Sequence, residues 1–457
     1  MSRSIPQESL DQLRAGLSGD VLTASDAAYD DIRQVHNGMI DKRPSLIVRC
    51  QNTADVADAV KFARDHDLEI SSRGGGHNVA GRAVTEGGLM IDLQPMKGIH
   101  VDAKSRTVRA QAGLTWNEYN RATHAYGLAT TGGVISTTGI AGLTLGGGLG
   151  WLMSKYGMAV DNVRSVELIT ADGEIRTASA DDDADLYWAV RGGGGNFGVA
   201  SSFEYDAHPV SMVYGGLIAF ALADAPKVWD FFGEFSAANP DELVMMMAIV
   251  HAPDGSGHKI AAMGMCHCGD LKEGEKAANA IRSAATPLMD MLGPLPYPVQ
   301  NTLLDDGFPK GARNYWKSAF FKDISSETIA LMAEAFEKTP SIMTGMVIEH
   351  FHGAVSRVPA TATAFPHREP GYNLVMAGVW PEPGGDGANI AWVRNTFQEL
   401  APYMADSVYV NYLGDDDADR VRAAYGPCWE RLAQLKRRYD PDNVFHLNQN
   451  IDPRAGA

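Results

Sequence analysis

Apolar and polar positions follow two different periods along this chain. From Pro44, SLIVRC is a short apolar run rich in β-formers, and LEISSRG is a second. Between them Val56, Ala59, Val60 and Ala63 recur at i, i+3, i+4 and i+7, which predicts a helix capped by Thr53. The three segments make a β-α-β unit. GLMIDL and GIHVDAKSRTVRAQAG read as further strands, TWNEYNRATHAYG as a helix, and VRSVELITADGEIRTAS as two strands hinged on Asp172-Gly173.

The texture changes near residue 210. From about 214 to 405, strands such as GGLIAFAL, LVMMMAIV and HKIAAMGM alternate with amphipathic helices such as SSETIALMAEAFEKT, the pattern of an antiparallel sheet covered by helices. GPCWERLAQLKRRYDPDNVFHLNQNID then reads as a helix stopped at Asp440-Pro441, followed by a short tail. The expected division is 1–212, 213–406, and a segment 407–457 that returns to the first region.

Length and charge narrow the range of functions. At 457 residues with 45% hydrophobic positions, the chain is long enough for about two packed domains. A formal charge of -17 without a Lys/Arg cluster disfavours nucleic acid and anionic membrane surfaces as partners. The N-terminus lacks a secretory apolar core, and four scattered cysteines provide no disulfide framework, so a cytoplasmic location is expected. Cys266-His267-Cys268 has no second ligand pair nearby, and no metal site is expected.

Glycine carries the strongest chemical signal. SSRGGGHNVAG (71–81), TGGVISTTGIAGLTLGGGLG and RGGGGNFGV form three clusters, the second holding eight glycines between Gly132 and Gly150. Such density sacrifices chain entropy and allows positive φ and close approach of backbone N–H groups to a ligand. Tight turns are the plain reading of any one glycine, and a backbone-bonded turn residue is the plain reading of His77. The P-loop pattern and the Rossmann spacing after a strand are both missing, so a dinucleotide held here is held by another fold.

Five segments taken in order carry a family resemblance: RPSLIVRCQNTADVADAVKFARDHDLEISSRGGGHN, TTGIAGLTLGGGLGWLMSKYGMAVDNV, DLYWAVRGGGGNFGV, FHGAVSRVPATATAFPHR and KRRYDPDNVFHLNQNIDP. The chain resembles the berberine-bridge-enzyme-like branch of the vanillyl-alcohol oxidase fold, close to its 6-hydroxynicotine-oxidase-like members. The resemblance implies an α+β architecture: a PCMH-type FAD-binding domain of two α/β subdomains, plus a substrate domain with an antiparallel sheet covered by helices. It implies FAD bound covalently through His77, with Arg73, Gly74, Gly75, Gly76 and Asn78 around the diphosphate and Gly81 also at the cofactor. Thr138, Gly139, Gly142, Gly146, Gly147, Gly148, Gly198, Val199, Asn411 and Asn448 are expected to approach the cofactor elsewhere. Members with a second covalent link carry a cysteine where this chain has Ile135, so a single bond is expected.

On the substrate side, SVYVNYLGDDD resembles the family's Tyr-x-Asn-Tyr motif, which makes Tyr412 the expected general base; its alternative is a strand tyrosine filling core. In MVIEHFHGA, alternation puts Ile348, His350 and His352 on one face and Glu349 and Phe351 on the other, and His350 or His352 is expected to line the pocket as proton relay or substrate contact. Arg368, Trp380 and Asn411 are expected to shape the cavity. Nicotine-oxidase-like members carry lysine and glutamates on this strand and lack the tyrosine motif, so the departure favours a hydroxyl over an amine. The leading expectation is an FAD-dependent oxidase that takes a hydride from an alcohol or sugar carbon to flavin N5, with O2 as acceptor. Oxidation of an amine is the alternative, and a non-catalytic nucleotide- or sugar-binding module is the remote one.

Overall fold

Leu46–Arg49, Leu89–Asp92 and Ile70–Arg73 run parallel, with Asp20–Leu22 added antiparallel at one edge. The connecting helix, Thr53–Asp65, buries Val56, Ala59, Val60 and Ala63, the residues its spacing marks. Its cap lies one residue earlier than expected: Asn52 accepts the Asp55 amide, while the Thr53 hydroxyl donates to Glu167. The computed structural model describes residues 5–321 and 324–454.

A second sheet of five antiparallel strands follows, in the order Ile99–Asp102, Thr107–Gln111, Val199–Asp206, Val163–Ile169 and Ile175–Ser179. The last two form the expected hairpin, with Gly173 at φ +79° in its turn. Helix Trp116–His124 opens with a reciprocal Thr115–Glu118 capping box. Together these sheets and their helices are the two α/β subdomains.

The third sheet is larger. Among the described residues its central path runs Met212–Ala221, Lys259–His267, Leu243–His251, Gly345–Phe351, Gly371–Trp380 and Arg313–Phe321, antiparallel throughout. Alternation gives this sheet two apolar faces. Met245, Met247, Ile348, Leu374 and Met376 pack against helices Ala225–Ser236, Ser326–Phe336 and Asp386–Leu400. The opposite face, with Val244, Met246, Phe320 and Phe351, packs against Trp151, Leu152 and Met158 of the glycine-rich region.

The C-terminal segment crosses back. Val410, Leu413, Leu432, Phe445 and Ile451 share one buried cluster with the first two sheets. Helix Trp429–Tyr439 ends at Asp440 as expected, and buried Lys436 donates to Asn196 O, Phe445 O and the Asp440 carboxylate. Residues Val410–Tyr412 form a single 3-10 turn rather than a strand.

Candidate active site

The first wall of the cavity between the glycine-rich loops and the large sheet is backbone. Its lining includes Gly74 to Asn78, Gly139, Gly142, Gly195 and Gly198. Glycine is required where two loops meet: a Cβ on Gly75 would stand 2.3 Å from Gly139 N, and one on Gly139 would stand 2.2 Å from Gly75 N. The chain leaves strand Ile70–Arg73 and turns at Gly76, φ +74°. Through this turn the amides of Gly74, Gly75, Gly76, His77 and Asn78 donate to no other atom of the described chain. Five consecutive free N–H groups in a concave loop attract an anion.

His77 projects from that loop between two threonines, its Nε2 3.0 Å from Thr137 Oγ1 and its Nδ1 3.5 Å from Thr138 Oγ1. His36 stacks on it with ring centroids 3.9 Å apart. Burial, reinforced by His36, pulls His77 down to about 3. The imidazole is therefore neutral near pH 7, and a neutral ring keeps a lone pair on one nitrogen, the form that can bond to carbon.

Side chains build the second wall. Met246, Trp316, Val347, Glu349, Val375 and Ala377 come from four neighbouring strands of the large sheet. Glu349 lies opposite Asn373 in register and accepts its amide at 2.7 Å through Oε2. The Tyr412 hydroxyl donates to Oε1 at 2.8 Å. Burial pushes Glu349 up to about 7, although both hydrogen bonds oppose the shift. Burial, with the Glu349 charge adding to it, raises Tyr412 well above its ordinary value. The pair thus couples a phenol that stays protonated to a carboxyl that titrates near neutrality.

His77, Gly74, Gly75, Gly76, Asn78, Thr138, Gly139, Gly142, Gly198, Val199, Asn411, Asn448 and Tyr412 all line this one cavity, and Ile135 does too. Several other expectations are corrected. Arg73 does not reach toward a ligand: its guanidinium is buried against Asp92 at 2.9 Å and donates to the carbonyls of Ile32 and Gln34. Gly81, Gly146, Gly147 and Gly148 serve chain packing, because added Cβ atoms would strike Ile40, Asn411, Met158 with Phe365, and Ala159. His350 and His352 face away from the cavity. His350 stacks on Tyr372, and His352 bonds Ser154 and the Leu243 carbonyl. Arg368 is a buried partner of Asp161, and Trp380 donates to Asp386.

Sequence reasoning missed Glu349 as a cavity residue, although alternation already placed it opposite His350. A lone carboxylate inside an apolar strand is the available signal, since burial there requires partners. His36 gave no local cue: it reaches His77 from a loop 41 positions earlier in the chain.

A compound with a diphosphate and flat rings suits these walls. Free amides meet the anion, open space stands where Gly142 and Gly195 lack side chains, and buried Asn448 Oδ1 has no partner among the described residues. The class defined is a flavin-nucleotide protein with a hydrogen-bonded Tyr412–Glu349 pair lining the cavity. Residues 44–179 match the model of the FAD binding domain family, and residues 408–452 match the berberine and berberine-like family. The chain is 30% identical to (R)-6-hydroxynicotine oxidase of Paenarthrobacter nicotinovorans, over 96% of this chain and 98% of that one. It is also 30% identical to an FAD-linked oxidoreductase of Dictyostelium discoideum, over 90% and 89%. The crystal structure of 6-hydroxy-D-nicotine oxidase from Arthrobacter nicotinovorans superposes with a TM-score of 0.88 at 28% identity, covering 96% of this chain and 98% of that chain. The chain belongs to the berberine-bridge-enzyme-like family of FAD-linked oxidoreductases.

Proposed function

We propose that this protein oxidises a hydroxyl-bearing carbon, with FAD attached through His77 and with Glu349 and Tyr412 removing the hydroxyl proton. The observation that carries the reading is the 2.8 Å bond from Tyr412 to a buried carboxyl poised at about 7. Bound FAD supplies the two-electron acceptor. The chain's part is to fix the ring, exclude water and remove a proton as the carbon is oxidised.

Tyr412 alone is a poor base, since burial disfavours the phenolate. Bonded to Glu349, it accepts the substrate proton while passing its own to Oε1, and no phenolate need accumulate. The charge lost is that of the carboxylate, the group whose affinity for a proton lies near neutral pH. On the other wall, Gly74–Asn78 would hold the diphosphate and the neutral His77 ring would take the covalent link. O2 is proposed as the oxidant that restores the cofactor.

A second reading, oxidation of an amine, is favoured by one observation. Among the described residues Glu349 has no cationic partner, and a substrate ammonium would supply one. Anaerobic mixing with matched alcohols and amines, following the flavin band, separates the two readings. The absorption spectrum of denatured, desalted protein tests the attachment: a retained flavin band is expected, and His77→Ala should move that band to the small-molecule fraction. Protein that stays colourless after FAD supplementation ends the proposal.

A further inference from the structure

The substrate end of the cavity is chemically lopsided. Of the six sheet residues that line it, only Glu349 is polar. Leu304 and Phe308, from the loop before strand Arg313–Phe321, extend the same apolar wall. Phe308 meets Trp316 edge-on at 5.8 Å, and Trp316 meets Tyr412 edge-on at 5.9 Å. Leu304, Phe308, Trp316 and Val347 remain only half-buried, and all four line the cavity. The Trp316 indole N–H is already engaged by Asn314 Oδ1 at 3.2 Å. Both Glu349 oxygens hold hydrogen bonds as well, so polar capacity on this side is concentrated at the Glu349–Tyr412 pair.

A sugar carries a hydroxyl on nearly every ring carbon. Each hydroxyl buried against such a wall without a partner costs roughly 1–3 kcal/mol. An aromatic or alicyclic ring gains from the same surface by burying apolar area and by edge-to-face contact with Trp316 and Phe308. We infer that the substrate is a largely apolar ring compound bearing one hydroxyl at the reacting carbon, and that polyols and sugars are excluded. This inference rests on the proposed alcohol oxidation for the hydroxyl and on the composition of the wall for the ring.

Binding separates the two. Phenol, which has no oxidisable hydroxyl-bearing sp3 carbon, and glucose are titrated into the flavin-loaded protein, and perturbation of the flavin band is recorded. Phenol should bind at least about a hundredfold more tightly than glucose, and Phe308→Ser should weaken phenol about tenfold while leaving glucose unchanged. 1-Indanol should then bleach the flavin anaerobically where glucose and cellobiose do not. Glucose binding as tightly as phenol, or no binding of phenol, overturns the inference. Phenol bound tightly and lost in Phe308→Ser, without bleaching by any ring alcohol, supports the apolar wall while ending the proposed alcohol oxidation.

Discussion

The two walls of the cavity are made from opposite materials. One is main chain, exposed by glycines and able to offer N–H groups to an anion. The other is a sheet surface whose side chains are apolar apart from one carboxyl. The first wall is suited to a cofactor whose shape is constant, because a bare backbone allows no variation. The second is suited to a substrate, because side chains from alternate positions on four strands set its shape. Cofactor identity is thus written in backbone geometry and substrate identity in side chains.

The sharpest way to break this division is at Glu349. If it is the proton acceptor, Glu349→Gln should slow anaerobic flavin reduction by about 10²- to 10⁴-fold, the usual contribution of a positioned base, with little change in flavin content. In the unaltered protein the reduction rate should rise with pH through about 7 as the carboxyl ionises. The same substitution has a stability signature of defined sign. The folded-state value lies above the ordinary 4.5, so the native state holds a proton the unfolded chain has released. This group's contribution is fully present below about 4.5 and lost as pH rises through about 7. Glu349→Gln should therefore stabilise the protein at pH 8, by on the order of 1–3 kcal/mol, and not at pH 4. Thermal unfolding at the two pH values checks this; equal shifts at both would remove the carboxyl from its assigned role.

Next in size is Gly139→Ala on the main-chain wall. The new methyl would meet Gly75 N at 2.2 Å, and that neighbour is backbone that must itself move. A loss of about 1–3 kcal/mol in stability is expected, together with loss of bound flavin, because the His77 loop shifts with Gly75. Gly142→Ala, where a Cβ meets nothing within 4 Å, should leave apoprotein stability nearly unchanged while lowering FAD content. Flavin-to-protein absorbance ratios and melting temperatures distinguish the pair. If both variants keep full flavin, the glycine wall is not the cofactor wall.

The main-chain wall was far more legible in the sequence than the side-chain wall, and the reason is physical. Clustered glycine announces that something comes close to the backbone, and strand, hairpin and cap signals such as Asp172-Gly173 and Thr115–Glu118 are local. Glycine does not say what comes close. Gly139 and Gly142 face the cavity, whereas Gly146 leaves room for Asn411 and Gly148 for Ala159, and both partners arrive from elsewhere in the chain. Arg73 misled in the same way: its guanidinium answers Asp92, its neighbour across the parallel sheet. For MVIEHF, alternation separated Glu349 from His350 correctly, but only the packing of helices on one face decides which side meets the cavity.

His350 supplies the smallest and most selective test of that face assignment. Its ring stacks on Tyr372 at 5.1 Å and on His352 at 4.6 Å, on the helix-covered side of the sheet, and its Nδ1 is buried without a partner among the described residues. Burial pulls it down to about 3, so near pH 7 it is neutral and carries no imidazolium proton to deliver. A depressed imidazole favours the fold above about 6.5 and loses that contribution as pH falls toward 3, the reverse of Glu349. His350→Gln should accordingly change the flavin reduction rate by less than about threefold and leave the rise near pH 7 in place, while flattening the acid limb of the stability profile. A tenfold loss of reduction rate with the pH dependence displaced would mean that the histidine face, not the glutamate face, meets the substrate.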